Sequence, residues 1–415
     1  MSSLDLFKHS HVKKFFLARF ISNFGNGLSP IALAFGILHL PGGSANELGL
    51  VLGSTTLAML VMSPFGGVLA DKFGRVRVVA LADIWGSLGL FVQAGYFFTG
   101  HVPLAVMLIA NINFGLMWGI FWPAMSGVMP ALLPEEKLQQ GNAVQNLIQN
   151  GAMIIGAAVG GIMVSAWGSS WALTIDAITF LIAGLIVFSF RQVAPDRSET
   201  DVSMLDDLLH GWKVFFSYPW IVTGVCCFSS IVMIWAMGEN VLGPLIALKH
   251  FNGPKSWSLV LSSEAVGYVV GSLIAMKIKV KYPMRFLTII TFTISLYMWS
   301  LARPQSIWFI AAAAFAWGVT LDLWSTLWTT AMQRQVPPDA LSRVSSFDAM
   351  GTMLLRPLGL ALGAPLAAAI GITRAMEAGA ALTVLCILAM VLVPDFRNMK
   401  MPARNNSQET FTKHS

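Results

Sequence analysis

The chain has 415 residues, 56% hydrophobic and only 11% charged, with a formal net charge of +6. Soluble domains carry about 25% charged residues, so this composition argues against a soluble enzyme and places the chain in a lipid bilayer. The excess of basic residues then reads as loops at one membrane surface, not as a nucleic-acid-binding face.

Runs of 18 or more apolar residues read as spanning helices, because about 20 residues cross a hydrocarbon core of about 30 Å. Backbone groups in lipid must be satisfied internally, which a helix does by itself. In chain order the expected spans are 13–39, 46–70, 77–99, 103–129, 141–166, 171–190, 219–247, 257–277, 284–302, 305–332, 342–369 and 374–393. The fold class is therefore all-α integral membrane, with twelve transmembrane helices. Lys8, Lys13 and Lys14 lead directly into the first span, with no cleavable signal pattern.

An even number of spans puts both termini on one side. Lysine and arginine number 20 in the loops and tails of that side and 4 on the other, while Arg19 and Arg356 fall inside spans. That bias predicts cytoplasmic termini. The longest polar stretch, 191–218, separates six spans from six. The chain thus divides into an N-terminal six-helix bundle (1–190), a central loop (191–218), a C-terminal bundle (219–393) and a tail (394–415). Within the loop, Leu205, Leu208, Leu209, Trp212, Phe215 and Phe216 recur at helical spacing, which predicts an interfacial helix. Cys226, Cys227 and Cys386 all lie in apolar runs, with neither metal-ligand spacing nor a disulfide framework.

A shift of 203 positions superposes the two halves. Pro134 meets Pro337, Leu138 meets Leu341, Gly115 meets Gly318, and Phe121 meets Trp324. Gly156, Gly160 and Gly168 meet Gly359, Gly363 and Gly371. Two six-span halves in the same orientation form a parallel repeat about an axis along the membrane normal, with substrate bound between them near the midplane. Gly156 and Gly160, with Gly161 beside them, and Gly359 and Gly363 put small residues on one helix face, where two helices can pack closely.

The cytoplasmic-side loop between spans 2 and 3 reads "GGVLADKFGRVR" over residues 66–77. It resembles the signature loop of the major facilitator superfamily, G-x-x-x-D-R/K-x-G-R/K-R/K. Gly67, Asp71, Lys72, Gly74 and Arg75 match; Val76 stands at the last basic position and Arg77 follows it. The resemblance implies two pseudo-symmetric six-helix bundles and a gating latch. In that latch, Asp71 would meet the N-terminus of span 11, where the helix dipole favours an anion, and Arg343 would pair with Asp71 or Asp83. The second half carries a decayed copy, "GSLIAMKIKV", with Met276 in the place of the aspartate.

Residues 121–168, 173–184 and 205–221 resemble the enterobactin-exporter-like and macrolide-efflux-like branch, also called transmembrane secretion effectors. That branch implies ion-coupled export of a small organic molecule, a siderophore or a drug-like compound, across a bacterial inner membrane. Gly156, Gly160 and Gly161 resemble the antiporter signature of span 5, with Ala157 in place of its proline. Asn111 and Asn113, also candidates for a coupling or substrate cavity, occupy the region of span 4 where drug–proton antiporters carry arginine.

A charge at mid-membrane costs roughly 2.5–3.5 kcal/mol on insertion scales and calls for a partner or a role. Glu239, Glu264, Asp322 and Arg356 are the candidates for a coupling or substrate cavity. The family architecture favours Glu239 and Asp322 as cavity groups, and Asp322 and Arg356 lie at comparable depth, as a functional or a structural pair. Trp118, Trp122 and Trp324 are candidate aromatic walls. There is no G-x-x-x-x-G-K-S/T phosphate loop and no His/Cys metal cluster, so no cofactor, metal or enzymatic activity is expected. The expected partners are a small-molecule substrate, a proton or other coupling ion and the lipid bilayer, and the expected state is a monomer. A nutrient or metal-chelate importer and a non-transporting sensor or scaffold are the competing readings.

Overall fold

The computed structural model describes residues 10–134, 137–190, 215–278 and 280–400; the side chains of Ser10, Asp71, Gln139, Ala143, Ser342, Arg343 and residues 338–340 are also outside the description. Most of the predicted interfacial helix, up to residue 214, lies outside the described residues.

Among the described residues, twelve helices are long and apolar enough to cross a membrane. They are α1 (His11–His39), α2 (Ala45–Ala70), α3 (Arg75–Phe98), α4 (Leu104–Ser126), α5 (Gln140–Trp167) and α6 (Ser169–Phe188) in the first half. The second half has α7 (Pro219–His250), α8 (Pro254–Ala275), α9 (Pro283–Ala302), α10 (Ile307–Gln335), α11 (Val344–Ile370) and α12 (Ile372–Leu392). Each overlaps one expected span.

The differences have local causes. α4 stops at Ser126, short of the expected 129, because Gly127 leaves the helix at φ −101° and the Arg75 side chain fills the space a Cβ would need. Three helices are interrupted where the sequence pattern runs on. In α7 a π-helical turn covers Ala236–Leu242, just before Pro244, whose ring cannot sit against a regular preceding turn. α11 breaks between Met353 and Arg356, ahead of Pro357. α9 breaks at Thr291, whose hydroxyl bonds back to the Leu287 carbonyl.

The internal repeat is visible in the packing. In the first half α2 lies against α4, α3 against α6, and α1 against α5 and α6. In the second, α8 lies against α10, α9 against α12, and α7 against α11 and α12. The shared glycines do the same work twice. Gly156 faces the Phe24 carbonyl of α1, and Gly359 faces the Met233 carbonyl of α7. Gly115 faces the Thr55 carbonyl of α2, and Gly318 faces the Glu264 carbonyl of α8. Gly168 and Gly371 close the α5–α6 and α11–α12 turns at φ +86° and +90°, a region barred to most side chains.

The halves join through α2 with α11 and α5 with α8, a pair of contacts that the repeat interchanges. Gly49 meets the Leu360 carbonyl, and a Cβ at Gly53 would lie 3.6 Å from that of Ala361. Gly161 meets Ser258 and the Pro254 carbonyl. All of these lie toward the helix ends remote from the chain termini. Nearer the other end, Gly67 of α2 and Gly151 of α5 have nothing within 4 Å of a Cβ position. The halves therefore touch at one end and part toward the end that carries the termini.

Candidate functional site

A polar cluster inside the helical bundle is built in the second half. Glu239 sits in the π-turn of α7 and Glu264 in α8; they are 5% and 4% exposed. Glu239 Oε2 accepts from Trp235 Nε1 at 2.8 Å and from the Tyr297 hydroxyl of α9 at 3.3 Å. Glu264 Oε1 accepts from the Tyr268 hydroxyl at 3.2 Å. The two carboxyl groups also contact each other. The π-turn widens the helix by one residue per turn and aims Glu239 at α8 and α9.

Arg356, at the break in α11, supplies the opposite charge. It interacts electrostatically with Glu239, donates from Nη2 to Asn240 Oδ1 at 3.3 Å, and its guanidinium lies 6.0 Å from the Trp235 ring. Its Nε has no partner. One residue on, Pro357 begins the stretch of α11 that meets α2 at Gly49 and Gly53. The cluster and the seam between the halves thus share one helix segment.

The expected Asp322–Arg356 pair does not form. Asp322 of α10 accepts from the Ser272 hydroxyl of α8 at 2.9 Å and packs on Gly271, whereas Arg356 turns toward α7. Equal depth did not suffice, because the two side chains leave their helices toward different neighbours.

Asp83 is not positioned for the latch. It is fully buried and pairs with Arg19 of α1. The Arg19 guanidinium lies 5.3 Å from the Phe121 ring and 5.7 Å from that of Phe15. The rest of the signature loop sits at the open end. Lys72 and Arg77 are exposed, Gly74 turns the chain between α2 and α3 at φ +87°, and Arg75 lies across Gly127. Gly67, expected to permit a close helix contact, faces open space; its neighbour Gly66 makes the close approach, to the Gly119 carbonyl of α4. The Asp71 and Arg343 side chains are outside the described residues.

Asn111 and Asn113 are tied into packing within the first half and not presented to a cavity. Asn111 accepts from the Thr55 hydroxyl at 3.3 Å and donates to the Met107 carbonyl at 2.9 Å. Asn113 accepts from Trp85 Nε1 at 2.8 Å. Trp324 is buried inside the second half, donating to the Thr291 hydroxyl at 2.7 Å with its ring 4.8 Å from Phe228. The Trp118 and Trp122 rings contact each other at 5.5 Å between centroids, tilted by 58°, the former half-buried and the latter exposed. Gly160 lies against Leu28, Gly363 against Met237, and Gly161 against Ser258 of the other half.

Sequence reasoning missed Tyr268, Tyr297 and Asn240. A signal was present. The chain has only 5 tyrosines, and Tyr268 stands one helical turn from the intramembrane Glu264, where side chains meet.

Twelve helices in two repeated halves that part at one end describe a multi-pass membrane transporter rather than an enzyme. The sequence matches the Major Facilitator Superfamily over residues 15–347, and the chain belongs to that family. It is 26% identical over 369 residues to Macrolide efflux protein A of Streptococcus pyogenes, covering 86% of this chain and 90% of that protein. It is 27% identical over 417 residues to Enterobactin exporter EntS of Citrobacter koseri, covering 96% of each. Among solved structures, the nucleoside transporter NupG shares the fold with a TM-score of 0.73, 14% identity, and coverage of 92% of this chain and 98% of that one.

Proposed function

We propose that this chain exports a small organic molecule, of the siderophore or drug-like class, across a bacterial inner membrane in exchange for protons, with both termini in the cytoplasm. Export is supported by the two relatives named for efflux and export, which align over most of the chain. The observation that carries the coupling is the contact between the Glu239 and Glu264 carboxyl groups beside Arg356.

The cycle follows from proton occupancy. With a proton shared between Glu239 and Glu264, the pair keeps one negative charge, which Arg356 balances. Loss of that proton toward the cytoplasm leaves two carboxylates facing each other, a repulsive arrangement. Arg356 is drawn toward them, and α11 moves with it. Because the next turns of α11 form the seam with α2, that movement loosens the closed end. Substrate that entered from the open, terminal side is then released on the far side. Reprotonation from outside restores the conformation described here. The signature loop belongs to the opposite phase, when the terminal side is shut and Asp71 reaches the first turn of α11.

Cells provide the test. A strain lacking this protein should retain a macrolide or catecholate siderophore that the parent expels, and a protonophore added to the parent should reproduce that retention. Equal retention in both strains across such a panel would overturn the export reading.

A further inference from the structure

A cleft of about 420 Å³ opens between α9 and α12 at the terminal end of the second half. Its upper wall is apolar, formed by Ile289, Met390 and Val391, with Thr288 beside them; its mouth is formed by Arg285 and Arg397. Ile289 is 68% exposed, and Leu385, Leu388 and Leu392 continue an exposed apolar face along α12. In a spanning helix such a face lies against acyl chains, so the cleft is open to the bilayer along its length and to the headgroup layer at its mouth.

The mouth concentrates positive charge. The Arg285 guanidinium and the Lys281 and Lys400 ammonium groups lie 4.6, 5.7 and 5.8 Å from the Tyr282 ring. Arg285 is held by bonds from Nε to the Arg397 carbonyl at 2.9 Å and from Nη2 to Asn398 Oδ1 at 2.6 Å, which leave Nη1 unused. Neither Arg285 nor Arg397 has a carboxylate partner among the described residues. Like charges gathered at one spot repel unless an anion joins them, and a guanidinium fixed in place is suited to a phosphate.

We propose that this cleft binds an anionic glycerophospholipid, with its phosphate between Arg285 and Arg397 and an acyl chain along Ile289 and Val391. Basic pockets between helices at a membrane surface have this chemistry. The apolar wall selects a lipid over a soluble phosphate, and the four cations select an anionic headgroup over a zwitterionic one. The site is separate from the acid cluster around Glu239 and does not depend on the direction or coupling of transport.

The experiment is native mass spectrometry of the purified full chain, titrated in detergent with phosphatidylglycerol, phosphatidylcholine or glycerol 3-phosphate. The wild type should retain one phosphatidylglycerol at least about tenfold more tightly than phosphatidylcholine, and glycerol 3-phosphate should not displace it. Arg285→Gln with Arg397→Gln should abolish that preference, while the control Lys13→Gln with Lys14→Gln, at exposed positions of α1, should keep it. If the arginine variant does not fold, Ile289→Trp decides the matter: it fills the cleft at an exposed position and should also lose the lipid. Equal loss in the lysine control, displacement by glycerol 3-phosphate, unchanged binding in Ile289→Trp, or a dimer that occupies this face in place of lipid would each overturn the proposal.

Discussion

The carboxyl of Glu239 on α7 meets the carboxyl of Glu264 on α8, each anchored by an aromatic hydroxyl, Tyr297 in one case and Tyr268 in the other. Two acids brought together in a bundle of apolar helices are costly unless a proton or a cation is shared among them. Arg356 provides part of the balance, and in the proposed exchange a proton provides the rest.

Neutral amides at these positions should separate binding from coupling. Glu239→Gln and Glu264→Gln are each expected to lower gradient-driven transport by roughly tenfold or more, about 1.4 kcal/mol in the driving step. Substrate counterflow, which needs no proton cycle, should persist. Asp322→Asn should be much milder, because an amide still accepts from Ser272. Coupled transport at the wild-type rate in both glutamine variants would place the proton site elsewhere.

Arg19 and Asp83 form a buried pair within the first half, and breaking it should act on folding. Asp83→Ala leaves a guanidinium without its carboxylate, a change that costs about 3–5 kcal/mol in buried pairs. The amount of folded protein in the membrane should fall sharply. Arg19→Met combined with Asp83→Leu should recover much of it, since an apolar replacement removes both charges. Normal abundance of Asp83→Ala with transport lost would instead return Asp83 to the gate.

The seam between α2 and α11 offers a direct lock. The Cβ positions of residues 53 and 361 lie 3.6 Å apart, within the range that a disulfide spans. With Cys226, Cys227 and Cys386 replaced by serine, Gly53→Cys and Ala361→Cys should cross-link on mild oxidation. Transport should stop and return on reduction. Full activity of the cross-linked protein would show that the seam need not open.

Much of this architecture could be read from the sequence, because apolar length and repeated glycines are one-dimensional signals. Twelve spans, the half-to-half repeat and the packing of Gly156 and Gly359 needed only run lengths and spacing. The pairings between helices were harder. Whether Asp83 faces Arg19 or a loop, and whether Arg356 faces Asp322 or Glu239, depends on each helix's rotation, which spacing within that helix does not set. The π-turn at Ala236–Leu242 shifts that rotation by one residue within α7. Asn111 and Asn113 illustrate the same point: both lie in α4 where a cavity was expected, and both spend their amides on neighbours in the same half.

The signature loop sits at the parted end of the molecule, so its latch should favour the opposite conformation. Asp71→Asn is therefore expected to increase the population closed at the far end. In the serine background above, the 53–361 cross-link should form faster in that variant at equal membrane abundance. A slower or unchanged rate, with normal transport, would remove the latch.

Exchange of an exported compound for protons is tested most directly in inside-out membrane vesicles with an acidic lumen. The compound that cells lacking this protein retain should accumulate in the lumen, accumulation should collapse with a protonophore, and Glu239→Gln should abolish it. Concentration of the compound only in right-side-out vesicles, or uptake indifferent to the proton gradient, would contradict proton-driven export.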